Sequence, residues 1–102
     1  MSSFDERENA FETKFAHDEE MLFKAVSRRN RMVGMWAAEL LGKNDPESYA
    51  REVMQSDFEE AGHDVVVRKL TADLGALANE ETVRAKMDEM LSMAKMQLAK
   101  EG

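Results

Sequence analysis

Residues 21–41, MLFKAVSRRNRMVGMWAAELL, decide the fold, because their apolar side chains recur at the spacing of one face of an α-helix. The positions on this face are Leu22, Val26, Val33, Trp36 and Leu40, with Ala25, Met32 and Ala37 beside them. Gly42 is expected to end the helix, since glycine adopts the left-handed conformation of a helix C-terminus without steric cost. The stretch predicts an amphipathic helix whose apolar face needs partners.

Three more helices are predicted after short connections. Asp45 and Pro46 suit the N-cap and first residue of a helix over 46–61, which Gly62 can close. A helix is predicted over 64–77, although its three consecutive valines are also typical of a strand, and Asn79 is the expected N-cap of a last helix over 80–100. The apolar positions are Tyr49, Val53, Met54, Phe58 and Ala61 in helix 46–61; Val65, Val66, Val67, Leu70, Leu74 and Leu77 in helix 64–77; and Val83, Met87, Met90, Leu91, Ala94 and Leu98 in helix 80–100. We expect an all-α fold, an irregular antiparallel four-helix bundle with an N-terminal helical or partly disordered extension.

Composition limits the classes of protein to which the chain can belong. Its 102 residues, 43% of them apolar, fit one small folded domain. The net charge of -7 disfavours nucleic-acid binding, and the longest apolar run, residues 32–38, is too short to insert into a membrane. The absence of cysteine excludes a disulfide scaffold and a thiol nucleophile.

The first twenty residues differ from the rest of the chain. They carry seven acidic side chains against two basic ones and few apolar groups, so we divide the chain into a docking segment, 1–20, and a four-helix domain, 21–102. Phe4, Phe11 and Phe15 lie on one side of a predicted helix, with Glu8 between them. The segment can place these aromatic anchors and Glu8 in a partner's groove, or it can be a solvated extension that folds back on its own domain.

Lys24, Arg28, Arg29 and Arg31 form the densest basic cluster and a candidate site for a nucleotide or another anion. The alternative is a charged face whose cations pair with nearby carboxylates. Arg29 also lies on the predicted apolar face, where it needs a buried partner.

Catalytic machinery is missing from the sequence. His17 and His63 stand apart without the spacing of a metal site, and there is no glycine-rich phosphate loop. We therefore expect no enzymatic activity, no metal and no resident cofactor. From the residues alone, one alternative function remains: a helical adaptor or nucleotide-responsive regulatory module that binds through the basic cluster or through the Met-bearing last helix. The methionines of that helix can also be explained by core packing.

Several runs of residues carry a family resemblance. They are 14–19 (KFAHDE), 23–25 (FKA) with 28–31 (RRNR), Gly34 with 36–39 (WAAE), and 56–62 (SDFEEAG). In these runs the chain resembles the zeta subunit family of alphaproteobacterial F-type ATP synthases, and the resemblance extends from Phe4 to the last helix.

The resemblance implies an inhibitor of ATP hydrolysis by the catalytic head, built from a four-helix domain and an inhibitory segment of residues 2–18. That segment would enter a catalytic interface as a mobile stretch that becomes helical on docking. The resemblance also implies a regulatory subunit that is monomeric when free, cytoplasmic and peripheral to the inner membrane through the synthase. It further suggests weak binding of ATP or ADP by the helical domain, at the basic cluster.

Overall fold

The described part of the chain folds as a bundle of four α-helices. A computed structural model describes residues 19–59 and 63–101, with side chains over 19–57 and 64–101. The helices are α1 (Glu19–Leu41), α2 (Pro46–Glu59), α3 (His63–Leu74), which continues as a 3₁₀ turn (Gly75–Leu77), and α4 (Glu80–Glu101). The predicted all-α bundle is confirmed. Residues 1–18 of the predicted docking segment lie outside the described residues, while Glu19 and Glu20 form the first turn of α1.

Three of the predicted helix-end signals are confirmed, at Gly42, Asp45 and Asn79. Gly42 has a φ of 70°, and the Lys43 amide donates to the carbonyl of Ala38 over 3.0 Å, which closes α1. The Asp45 side chain accepts a hydrogen bond from the Ser48 amide (3.2 Å), and that of Asn79 accepts one from the Thr82 amide (2.8 Å). These short-range caps set where α2 and α4 begin.

The buried face of α1 agrees with the predicted one at Ala25, Val33 and Ala37 and differs elsewhere. Its buried residues are Ala25, Arg29, Asn30, Val33, Gly34, Ala37 and Ala38. Leu22 and Leu40 were expected on this face, but they are 39% and 43% exposed. The small residues on the observed face explain the difference, because they let α1 approach α2 closely. A Cβ added to Gly34 would lie 2.8 Å from the Ala50 Cα.

The remaining apolar positions form the core beneath α1. The valine run lies within helix α3 and is therefore helical. The buried residues of α3 are Val66, Val67, Leu70 and Leu74. Leu77 was predicted on the same stripe but is exposed, because α3 ends at Leu74 and the chain tightens into the 3₁₀ turn. The α4 stripe is as predicted: Val83, Met87, Ala94 and Leu98 are buried, and Met90 and Leu91 pack against the core. The side chains of Phe58 and Ala61, and Gly62, lie outside the described residues.

A polar contact joins α2 to α3. The Tyr49 hydroxyl donates a hydrogen bond to Oδ2 of Asp73 over 2.8 Å, and the Lys69 ammonium donates to the same oxygen over 3.0 Å. Burial would raise the pKa of Asp73, but the hydrogen bonds from Tyr49 and Lys69 outweigh it and lower that pKa. The ionised carboxylate therefore helps to hold these two helices together.

Candidate functional site

The predicted partner-binding residues Phe4, Glu8, Phe11 and Phe15 lie outside the described residues, so their role stays a prediction. The basic cluster lies within α1 and is fully described. The site is therefore built from α1 and the helices that flank it.

The predicted basic cluster divides between two faces of α1. Lys24, Arg28 and Arg31 line one groove on the outside of the bundle. Arg29 points into the bundle and is 3% exposed. Because successive helical residues are about 100° apart, Arg29 cannot share the outer face with its neighbour Arg28. An anion in the groove would contact three of the four predicted cations.

Each outer cation has an acidic partner. The Arg28 guanidinium contacts the Glu101 carboxylate through two hydrogen bonds of 2.5 and 2.9 Å, which raise the pKa of Arg28 and lower that of Glu101. The other two ion pairs are Lys24 with Glu20 at 3.4 Å and Arg31 with Glu47 at 3.0 Å. Single-contact pairs between exposed side chains, such as those of Lys24 and Arg31, contribute little to stability, so these two cations can exchange their partners for an incoming anion at small cost. Arg28 is held more firmly by its two hydrogen bonds to Glu101.

Arg29 is held by contacts inside the bundle. Its Nε and Nη2 atoms donate to Oδ1 of Asn30 over 3.1 and 2.8 Å, and Asn30 is itself buried. Burial lowers the pKa of Arg29, while the charges of Asp57 on α2 and Asp88 on α4 act in the opposite direction. The expected buried partner is thus present, and Arg29 joins three helices electrostatically.

The outer face of α1 is the floor of a trough whose walls are α2 and α4. The cationic part, of about 620 Å³, is lined by Phe23, Lys24, Arg28, Leu98 and Glu101 among others. The apolar part, of about 730 Å³, is lined by Met35, Trp36, Pro46, Met90 and Met93 among others. Arg31 and Met32 border both parts, so the two parts are adjacent. We call the whole surface the α1 trough.

Sequence reasoning gave the methionines of α4 two alternatives, the core or a binding groove, and did not include α1 in the groove. The structure divides them: Met87 is buried, Met93 lines the apolar part of the trough, and Met96 is exposed outside the two linings. One signal in the sequence could have revealed this groove: α1 also carries methionines, and Met32 and Met35 line the same groove as Met93 of α4. Methionine side chains are adaptable and suit a surface that binds other side chains.

Comparison with protein families decides the relationship of the chain. The family model of the ATPase inhibitor subunit zeta matches residues 1–97. The chain belongs to this family. A solution NMR structure that is 48% identical in sequence superposes with a TM-score of 0.72, over 80% of this chain and 99% of that one. No curated protein matches the chain.

Membership in the zeta family gives the chain an inhibitory role on an ATPase and makes the ATP synthase its binding partner. Family membership decides against the alternative, an adaptor unrelated to ATP synthase. The chain is a regulatory subunit. Within 19–59 and 63–101, no helix is long and apolar enough to cross a membrane. In the same part of the chain, no three His, Cys, Asp or Glu side chains converge on a metal position.

Proposed function

We propose that this zeta-family chain inhibits ATP hydrolysis by inserting residues 2–18 into a catalytic interface of the F-type ATP synthase head. The family match supports this proposal most directly, because it includes the N-terminal segment as well as the four helices. We call residues 1–18 the leader. Three phenylalanines in an otherwise polar, acidic stretch are the composition of a segment that binds through few anchors.

The proposed block couples helix formation by the leader to binding. Burial of the three phenylalanine side chains contributes about 1.5–3 kcal/mol each, against the cost of ordering the backbone. Glu8, between Phe4 and Phe11, is placed to face basic residues of the interface. Since α1 begins at Glu19, directly after the leader, contacts of the bundle with the enzyme would keep the leader near the interface and raise its effective concentration.

A double substitution tests the anchors. Phe11→Ala with Phe15→Ala should raise the concentration needed for half-inhibition of ATP hydrolysis at least about a hundredfold, since the two lost side chains together remove at least about 3 kcal/mol of burial. The thermal unfolding temperature should change little. Leu77→Ala, which shortens an exposed side chain on the 3₁₀ turn, is the control and should inhibit like the parent chain. A large loss of thermal stability with unchanged inhibition would place the two rings in the domain core.

A second candidate function is weak binding of adenine nucleotide. It is favoured by one observation: Lys24, Arg28 and Arg31 line a single groove together with Phe23. The cations would contact the phosphates and the aromatic ring would stack on the base.

Titration with ATP, followed through backbone amide shifts, tests this proposal. Shifts around Arg28 should be lost in Arg28→Gln and kept in Arg84→Gln, which removes an exposed, paired arginine on α4. Shifts that are equal in both variants, or absent from α1, would contradict the proposal.

A further inference from the structure

Leu22, in the first turn of α1, is an apolar side chain that the bundle covers only in part. Arg29 follows it by seven residues, about two helical turns, and therefore points in nearly the same direction. Arg29 is 3% exposed and Ala25 is fully buried against Leu98 of α4, whereas Leu22 is 39% exposed. The cover that the bundle gives to this face of α1 thus ends between Leu22 and Ala25.

Leu22 also continues the spacing of the phenylalanines in the leader. Phe4, Phe11 and Phe15 follow one another at intervals of seven and four residues, and Leu22 follows Phe15 by seven. On a single helix these four side chains lie within about 40° of one another. Because α1 begins at Glu19, a leader that becomes helical on docking can extend α1 as one helix.

The surroundings of Leu22 are polar, as are those of the phenylalanines in the leader. Glu19 and Glu20 precede Leu22 and are exposed, and the Lys24 ammonium pairs with the Glu20 carboxylate at 3.4 Å. Phe23 points about 100° away from Leu22 and lines the cationic part of the trough. A partner of this face should therefore place apolar side chains opposite Leu22 and basic side chains around them.

We propose that Leu22 is a further anchor of the inhibitory helix and binds in the catalytic interface one position beyond Phe15. The inference rests on the proposed function, since it extends the segment that inserts. Leu22 lies about 10 Å beyond Phe15 along a helix, the same advance as from Phe4 to Phe11. The inserted helix then ends where the bundle begins to cover it, before Ala25, and the bundle lies at the mouth of the interface.

Thiol labelling of the full chain with and without catalytic heads tests the contact. The chain has no cysteine, so Leu22→Cys provides a unique thiol, and Leu40→Cys is the matched control. Leu40 lies about five turns later on the same side of α1, about 27 Å away, and is 43% exposed. Saturating heads should strongly slow the reaction of a maleimide with Leu22→Cys, measured by the mass of the zeta-family chain, and should leave Leu40→Cys unchanged. Labelling of Leu22→Cys at the same rate with and without heads, or equal slowing at both positions, would overturn the proposal.

Inhibition of ATP hydrolysis tests whether the contact contributes to binding. Leu22→Ala removes the anchor without weakening the helix, because alanine has the highest helix propensity. Since Leu22 is 39% exposed in the free chain, the burial that remains available predicts a half-inhibitory concentration about three- to sevenfold higher in Leu22→Ala. Leu40→Ala should inhibit like the parent chain, and the two variants should unfold at similar temperatures. Inhibition of equal strength by Leu22→Ala and Leu40→Ala would count against the anchor.

Failure of the proposed function would give a different result. Absence of inhibition by the parent chain, or inhibition of equal strength by a chain lacking residues 2–18, would contradict the proposed function. The labelling of Leu22→Cys in the presence of heads would then still decide whether Leu22 meets the enzyme. Inhibition that requires residues 2–18, together with unprotected labelling of Leu22→Cys, would contradict only the extension of the inhibitory helix to Leu22.

Discussion

Replacement of Gly34 by alanine tests how the bundle is held together. The added Cβ would lie 2.8 Å from the Ala50 Cα, 3.1 Å from its Cβ and 3.4 Å from the Val53 Cβ. The nearest atom belongs to the backbone of α2, so no side-chain rotation relieves the overlap, and α1 must move away from α2. Gly34 is thus the position at which the spacing between these two helices is fixed.

Two opposing terms set the size of the effect. Overpacking of this kind costs about 1–3 kcal/mol, and the upper half of that range applies because a backbone atom is struck. Alanine returns about 1 kcal/mol through its higher helix propensity. We expect a net loss of about 1–2 kcal/mol, and since each kcal/mol lowers Tm by roughly 4–8 °C in a domain of this size, Tm should fall by roughly 5–15 °C.

Urea and thermal unfolding followed by circular dichroism measure both terms. Ala85→Gly, at an exposed position of α4, reports the helix-propensity term alone and should destabilise by about 1 kcal/mol. Ala50→Gly combined with Gly34→Ala should not restore stability, because the Ala50 Cα remains in place and glycine within α2 itself costs about 1 kcal/mol. A Gly34→Ala protein as stable as the parent, or more stable, would refute the close approach of α1 and α2.

Two further substitutions test the polar contacts. Arg29→Met should destabilise the domain by about 1–3 kcal/mol in urea unfolding, because the buried Asn30 oxygen loses both hydrogen bonds; an increase in stability would show that this pair is not required. Tyr49→Phe removes one of the hydrogen bonds that lower the pKa of Asp73. The lowered pKa stabilises the fold above about pH 4, where an unfolded aspartate is ionised. The stability gap between the parent chain and Tyr49→Phe should therefore narrow as the pH falls below about 4, and an equal gap at pH 7 and pH 3 would contradict the assignment.

Local signals in the sequence predicted the ends of the helices well. Asp45, Asn79 and Gly42 act within a few residues of themselves, through a side-chain oxygen or a backbone conformation, so their roles can be derived without tertiary information. The end of α3 was less predictable, because Leu77 continues the apolar spacing although the helix stops at Leu74.

Apolar periodicity found the buried face of α1 only in part: Ala25, Val33 and Ala37 are buried as predicted. Large apolar residues such as Leu22 and Leu40 dominate that pattern, whereas the contact with α2 selects small residues, Gly34 and Ala38 among them. The burial of Arg29 was deduced from its position, but its partner Asn30 follows it directly in sequence and carried no separate signal.

The candidate site was predicted in part. The basic cluster was visible in the sequence, but only the structure separates the buried Arg29 from the outward Lys24, Arg28 and Arg31. The methionine-lined half of the trough depends on which faces of α1 and α4 meet, which is a tertiary property that neither helix encodes alone.

The central claim is that residues 2–18 carry the inhibition, and one measurement tests it most directly. Purified heads of the F-type ATP synthase from the same organism are titrated with the full chain and with a chain lacking residues 2–18, and ATP hydrolysis is followed. We predict that hydrolysis falls with added full chain and is unchanged by the shortened chain, whose helical circular dichroism spectrum shows that it is folded. Inhibition of equal strength by both chains would contradict the account.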